Sequence, residues 1–202
     1  EKNTTWEGGF RVPTAVRWPA KIKPGVSNAV MSHLDWMPTL AAAAGDTSLK
    51  KDLLKGRQIG DKNARVYLDG FNFLPFLTGA SEQSPRKSFI YHNDLAVPVA
   101  VRVEDWKIVF AENRAKTMAL WTEPFVMLRA PKIFHLRRDP FERADHNSNT
   151  YWDWVIDKFP QGYRAGAVVV MYMQTFKKYP PSQKPDSWSI EKFTDEVFAP
   201  QK

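Results

Sequence analysis

Lys2 heads the run Lys2-Asn3-Thr4-Thr5-Trp6-Glu7-Gly8-Gly9-Phe10-Arg11-Val12-Pro13, which sets an ammonium, two hydroxyls and a Gly-Gly pair close together. A lysine ammonium is a compact point charge on a flexible stem, suited to pairing with a small oxyanion. Gly8-Gly9 lets the backbone take positive-φ or crowded conformations that side chains forbid. This is a candidate anion-binding loop, although the same composition also suits an ordinary surface loop. Glu7 and Arg11 are expected to pair and fix the Gly-Gly hinge. Trp6, beside Lys2, offers an aromatic face for a ring-bearing ligand, with core packing as its alternative. His92, followed by Asn93 and Asp94, leaves an apolar segment on a polar loop and is the histidine expected to face a pocket. His33 reads as a structural residue, and His135 and His146 as surface residues. The four are far apart, and nothing in their spacing marks a metal site.

The run resembles the sulfatase signature K-x-T-x-x-E-G-G-x-R-x-P. Further segments follow in the order found in the carboxy-terminal part of arylsulfatases. These are Arg17-Trp18-Pro19-Ala20-Lys21-Ile22 with Pro24-Gly25, then Asp35-Trp36-Met37-Pro38-Thr39-Leu40 running to Ala44-Gly45. Next come Asp69-Gly70-Phe71-Asn72-Phe73-Leu74-Pro75-Phe76-Leu77-Thr78-Gly79, Val101-Arg102 with Trp106-Lys107, and His135-Leu136-Arg137-Arg138-Asp139-Pro140-Phe141-Glu142. The similarity covers about residues 1–150, and Tyr179-Pro180-Pro181-Ser182-Gln183 resembles the end of some bacterial members.

The resemblance implies a sulfuric ester hydrolase of the arylsulfatase type, acting on a small-molecule or carbohydrate sulfate ester. Lys2 then matches the lysine that contacts the sulfate, and Trp6 and His92 are its expected substrate-binding companions. The family's nucleophile is a formylglycine made from Cys or Ser in a C/S-x-P-x-R context, and its calcium ion is held by paired Asp residues. This chain has no Cys and no Ser-x-Pro-x-Arg. No cofactor is therefore expected within it; calcium and formylglycine are expected in a missing amino-terminal portion, which becomes its expected partner. The chain reads as a carboxy-terminal fragment, inactive by itself, with no metal ligand of its own. Family resemblance favours a periplasmic or secreted setting. The alternatives are a noncatalytic binding or assembly module and a phosphodiesterase of the wider alkaline phosphatase superfamily.

Composition sets outer limits. A 202-residue chain with 43% hydrophobic residues can bury a sizeable core. Absence of Cys excludes disulfides and thiolate zinc from this chain. No apolar run reaches the roughly 18–20 residues of a membrane span. The net charge of +7 raises nucleic acid as a partner, but the basic residues are interleaved with acidic ones, and Arg137-Arg138 and Lys177-Lys178 are only pairs. Nucleic acid is not expected.

The elements that must position these residues divide in two. Residues 1–79 alternate strand, loop and helix and resemble the edge of the family's large α/β domain. Short strands are expected at 12–19 and 30–34. A helix follows with Asp35 as its cap, Pro38 in its first turn and Gly45 as its stop. Residues 50–62 read as a loop, and 73–77 as a turn of helix ended by Thr78-Gly79. Residues 80–202 form the second part. Period-two patterning predicts antiparallel strands at 88–91, 97–103, 106–111 and 132–136, with Glu104-Asp105 turning the chain between the middle two. Asn149 is the expected cap of a helix over 150–159. A longer helix over 165–178 carries an apolar stripe to cover the sheet. The expected class is α+β: the edge of a large α/β sulfatase domain, then a four-stranded antiparallel sheet packed by a C-terminal helix.

Overall fold

The computed structural model describes residues 2–181. The part of the expected tail resemblance from Ser182 onward lies outside the described residues. Helix α1 (Glu7–Phe10) is a single turn, closed where the Arg11 N–H donates to the Glu7 carbonyl at 2.6 Å. Residues 11–31 then form neither helix nor strand, and residues 11–20 are all exposed. The expected strand at 12–19 does not form. A strand needs a neighbour for its backbone N–H and C=O groups, and neither sheet among the described residues includes this segment.

The expected strand at 30–34 also gives way, here to a 3-10 turn over His33–Asp35. Its cause is local. The Ser32 hydroxyl accepts the Leu34 N–H at 3.3 Å, while the Asp35 carboxylate accepts the Ser32 N–H at 2.8 Å. That reciprocal pair is a capping box, so Ser32 is the capping residue and Asp35 turns inward. Helix α2 (Trp36–Ala43) carries Pro38 in its first turn. It ends as expected at Gly45, whose φ is +99°. There the Asp46 N–H reaches the Ala41 carbonyl at 2.9 Å and the Gly45 N–H the Ala42 carbonyl at 3.1 Å, the double bond of a Schellman stop.

Residues 50–62 are not a loop. They belong to α3 (Leu49–Lys55) and a small hairpin of β1 (Arg57–Ile59) and β2 (Lys62–Ala64). Leu49 and Leu53, one helical turn apart, are buried; between them Lys50 is half-buried, its Nζ donating to the Gly70 carbonyl at 3.0 Å, and Lys51 is exposed. Helix α4 (Leu74–Leu77) is a short turn at the expected place, closed at Gly79. Just before it, Gly70 lies against the turn at Leu34, where an added Cβ would stand 2.0 Å from the Leu34 carbonyl oxygen.

Alternating patterning builds the second part. Strands β3 (Ser88–His92), β4 (Pro98–Val103), β5 (Trp106–Glu112) and β6 (Val126–His135) form an antiparallel sheet in simple chain order. Glu104 turns the chain between β4 and β5 at φ +54°, leaving Val103 opposite Trp106. β6 begins earlier than expected, at Val126, and shifts register against β5 between Val109 and Ala111. Three helices follow: α5 (Ala144–Asn147), α6 (Tyr151–Lys158) and α7 (Pro160–Lys178). Thr150 rather than Asn149 stands at the start of α6, without a side-chain cap.

Helix α7 packs on β4 and β5 through Ala165, which is fully buried. On α6, Trp154 stacks with Trp106 at 5.9 Å. The core runs from Tyr91, Val99 and Val101 through Ile108, Val109 and Ile133 to Tyr151 and Val155, and Trp6 and Phe10 of the first part pack against it. The fold is α+β, as the patterning indicated.

Candidate functional site

The signature run is fastened to the sheet by side chains far from it in sequence. Lys107 points inward from β5 with no exposed surface. An ammonium ion buried this way is costly unless paired. Its Nζ donates to the Thr5 carbonyl at 2.5 Å and lies 2.6 Å from Glu142 Oε1 and 3.4 Å from Glu7 Oε1. The second Glu142 oxygen, Oε2, accepts the Glu7 N–H at 2.6 Å. Around Glu7, the Tyr91 hydroxyl donates to Oε1 and Arg102 donates to Oε2 at 3.2 Å. Glu142 holds this position with a backbone φ of +53°, the left-handed region that non-glycine residues avoid.

Titration follows from that packing. Burial, the largest influence, pushes the Glu142 carboxyl above its ordinary range, with Lys107 pulling the other way. The Tyr91 phenol is raised well above its ordinary value, first by burial and then by the Glu7 charge. A second ionic group lies nearby, where Lys132 bridges Glu112 at 2.6 Å and Asp145 at 2.7 Å. Burial is the largest single influence on Lys132 and depresses it, but the two carboxylates together outweigh it and hold the amine above its usual value. The Lys107 and Lys132 ammonium groups stand 5.9 and 5.7 Å from the Trp6 ring.

The expected Glu7–Arg11 pair is replaced by these contacts. Arg11 is exposed, and Glu7 is committed to Tyr91, Arg102 and Lys107. Sequence reasoning missed Lys107, Glu142, Tyr91 and Arg102. The motif segments contained three of them, but nothing local linked them to Glu7.

Lys2 is exposed and makes no ion pair with a described side chain. The chain beside it is held, because Asn3, at φ +60°, donates through Nδ2 to the Leu120 carbonyl at 2.6 Å. Trp6 is half-buried, edge-on to Phe134 at 5.8 Å. His92 ends β3 with its Nε2 3.1 Å from the Tyr172 hydroxyl of α7. Burial lowers the His92 pKa from 6.5, and burial raises that of Tyr172 to about 12. No hydrogen bond or ring contact joins Lys2, Trp6 and His92. Two cavities of about 270 and 310 Å³ are lined by other residues. Among the described residues, no three His, Asp or Glu side chains gather into a group that fits a metal ion.

Comparison with known proteins places this geometry in a family. A sequence model of the family "Sulfatase" matches residues 1–46. Human arylsulfatase A is 31% identical over 152 residues, covering 70% of this chain and 27% of that protein. Mouse steryl-sulfatase is 33% identical over 159 residues, covering 70% of this chain and 23% of its own length. The chain thus spans about a quarter of these curated relatives. A solved sulfatase from Pseudoalteromonas sp. superposes with a TM-score of 0.68 at 28% identity, over 91% of this chain and 34% of that structure. Motif, fold and relatives agree: the chain belongs to the sulfatase family and corresponds to its carboxy-terminal portion.

Proposed function

We propose that the chain supplies the sulfate-contacting cation and part of the pocket wall of an arylsulfatase-like sulfuric ester hydrolase. The observation that carries this reading is the contrast within one loop. Residues 3–7 are tied to the fold by buried bonds, whereas Lys2 at the loop's head is exposed and uncommitted to any described carboxylate. A charge presented from a fixed backbone can offset negative charge that builds on the sulfate oxygens as the S–O bond breaks. In this reading Trp6 and His92 stand at the pocket wall, with burial holding the His92 pKa below its ordinary value. The nucleophile and the calcium site belong to an amino-terminal portion. Among the described residues, no group of His, Asp or Glu side chains fits a metal ion.

That portion is also the expected cover for Val12, Val16, Trp18, Leu34, Met37 and Leu40, all exposed large apolar side chains. Residues 2–79 read as the edge of its large α/β domain, and 80–181 as the small domain beside it. No described helix is long and apolar enough to cross a membrane.

The test is the encoding gene and its full product. Upstream of Glu1, a C/S-x-P-x-R motif with paired Asp ligands is expected, and the full product should hydrolyse an activated aryl sulfate. A gene with no such motif, or a folded full-length product that cleaves a phosphodiester and no sulfate ester, would overturn the reading.

A further inference from the structure

The charge on Lys107 is not needed by the sheet that carries it. The next β5 residue on its face, Val109, is buried and apolar, so the layer itself calls for volume there rather than charge, although removing the charge alone leaves the Glu7 and Glu142 carboxylates unpaired. What the ammonium does reach is the signature loop: the Thr5 carbonyl at 2.5 Å and the Glu7 carboxylate at 3.4 Å. Its remaining anionic partner, Glu142, uses its other oxygen to hold the Glu7 N–H at 2.6 Å. The pair therefore grips the loop backbone on both sides of Trp6, at a carbonyl and at an amide. Glu142 does so from a strained backbone conformation, φ +53°. Farther along, Asn3 fixes the chain at Leu120, and Lys2 is the next residue out.

We propose that Lys107, acting with Glu142, is the positioning residue for Lys2: the buried pair sets the backbone path from which the exposed ammonium is presented. This rests on the reading that Lys2 contacts sulfate. It adds that the small sheet domain controls where that contact is made. A buried pair with a merely structural role would stabilise the sheet and leave the loop indifferent.

The experiment uses the full-length protein and the variants Lys107→Met and Glu142→Gln. Hydrogen exchange is compared at amides 5–9 and in β3 to β5. The expected result is faster exchange at amides 5–9, by about tenfold or more beyond any fall in protection shared by β3 to β5. Turnover of an aryl sulfate is then measured with and without Lys2→Ala. Each clamp variant should lower kcat/KM by about ten- to a hundredfold alone and by less than about threefold in the Lys2→Ala background, since residues acting as a unit are not additive. Unchanged exchange at amides 5–9, a rise there no larger than in β3 to β5, or equal falls in kcat/KM in both backgrounds would overturn the proposal. If Lys107→Met does not fold, Glu142→Gln carries the comparison, because it keeps an acceptor for the Glu7 N–H while removing the charge. A Lys2→Ala protein with full turnover would retire the sulfate-contact reading alone, and the exchange data would still decide whether the clamp exists.

Discussion

Arg86 holds the Asp35 carboxylate with two hydrogen bonds, Nε to Oδ2 at 2.8 Å and Nη2 to Oδ1 at 2.6 Å. The same carboxylate accepts the N–H of Ser32 at 2.8 Å and of Phe71 at 2.7 Å. One fully buried side chain thus joins the capping turn before α2, the approach to α4 and the segment entering β3. Asp35→Ala removes the anion and leaves a buried guanidinium unpaired, which should cost about 3–5 kcal/mol. Denaturant unfolding gives the number; a loss under about 1 kcal/mol would mean that water reaches Arg86 and replaces the pair.

Lys2→Ala in the full-length enzyme should lower kcat/KM for an aryl sulfate by the equivalent of about 2–4 kcal/mol, as expected for one preorganised charge donor. Stability should be unchanged, because Lys2 is exposed. Full activity in the folded variant would remove Lys2 from the site.

The isolated 202-residue chain should show no turnover of an activated aryl sulfate, with or without added calcium. Electrostatic stabilisation from Lys2 does not replace a nucleophile. Calcium-dependent turnover by the pure chain at rates comparable to full-length sulfatases would contradict the proposed division of labour.

His92 makes stability depend on pH in a defined direction. Burial depresses its folded-state pKa below 6.5, so as pH falls the unfolded chain takes up this proton first. The stability this group contributes is therefore fully present above pH 6.5 and is lost as pH falls through the folded pKa. Paired urea melts at pH 7.5 and 5.5 should show a smaller acid loss for His92→Gln than for the parent. Equal losses would assign the effect to other groups.

Hydrogen exchange should divide the chain unevenly. Amides in β4 and β5, at the centre of the sheet, should be the slowest, whereas most of those of residues 12–31, outside the turn that bonds the Lys21 and Ile22 amides to Trp18, should exchange nearly freely, having neither helix nor strand. Slow exchange over 12–31 in the isolated chain would mean that this segment finds a partner within it.

The sheet was legible because its information is local. Period-two alternation over 88–111 and a two-residue turn at Glu104-Asp105 specify adjacent strands. The early start of β6 was hidden by Pro131, which argues against a strand interior even though β6 passes through it. Helix α3 was hidden by its lysines, since only Leu49 and Leu53 mark its buried face. At the site, the signature revealed the family. Glu7 showed where sequence reading ends: its nearest opposite charge, Arg11, is not its partner, and Lys107 lies a hundred residues away.

That separation fixes an order of assembly. Strands β3 to β6 pair with sequence neighbours, so every closure within the sheet spans far fewer residues than the one that fastens the signature loop. The Glu7–Glu142 bond spans 135 residues, and its closure is repaid only when both ends have settled against the sheet. On a growing chain, Glu7 emerges long before Glu142 exists to receive its amide. The segment bearing Lys2 is made before the sheet and set after it. In refolding, amides 5–10 should gain protection after those of β4 and β5, and the reverse order would show that the loop nucleates the sheet.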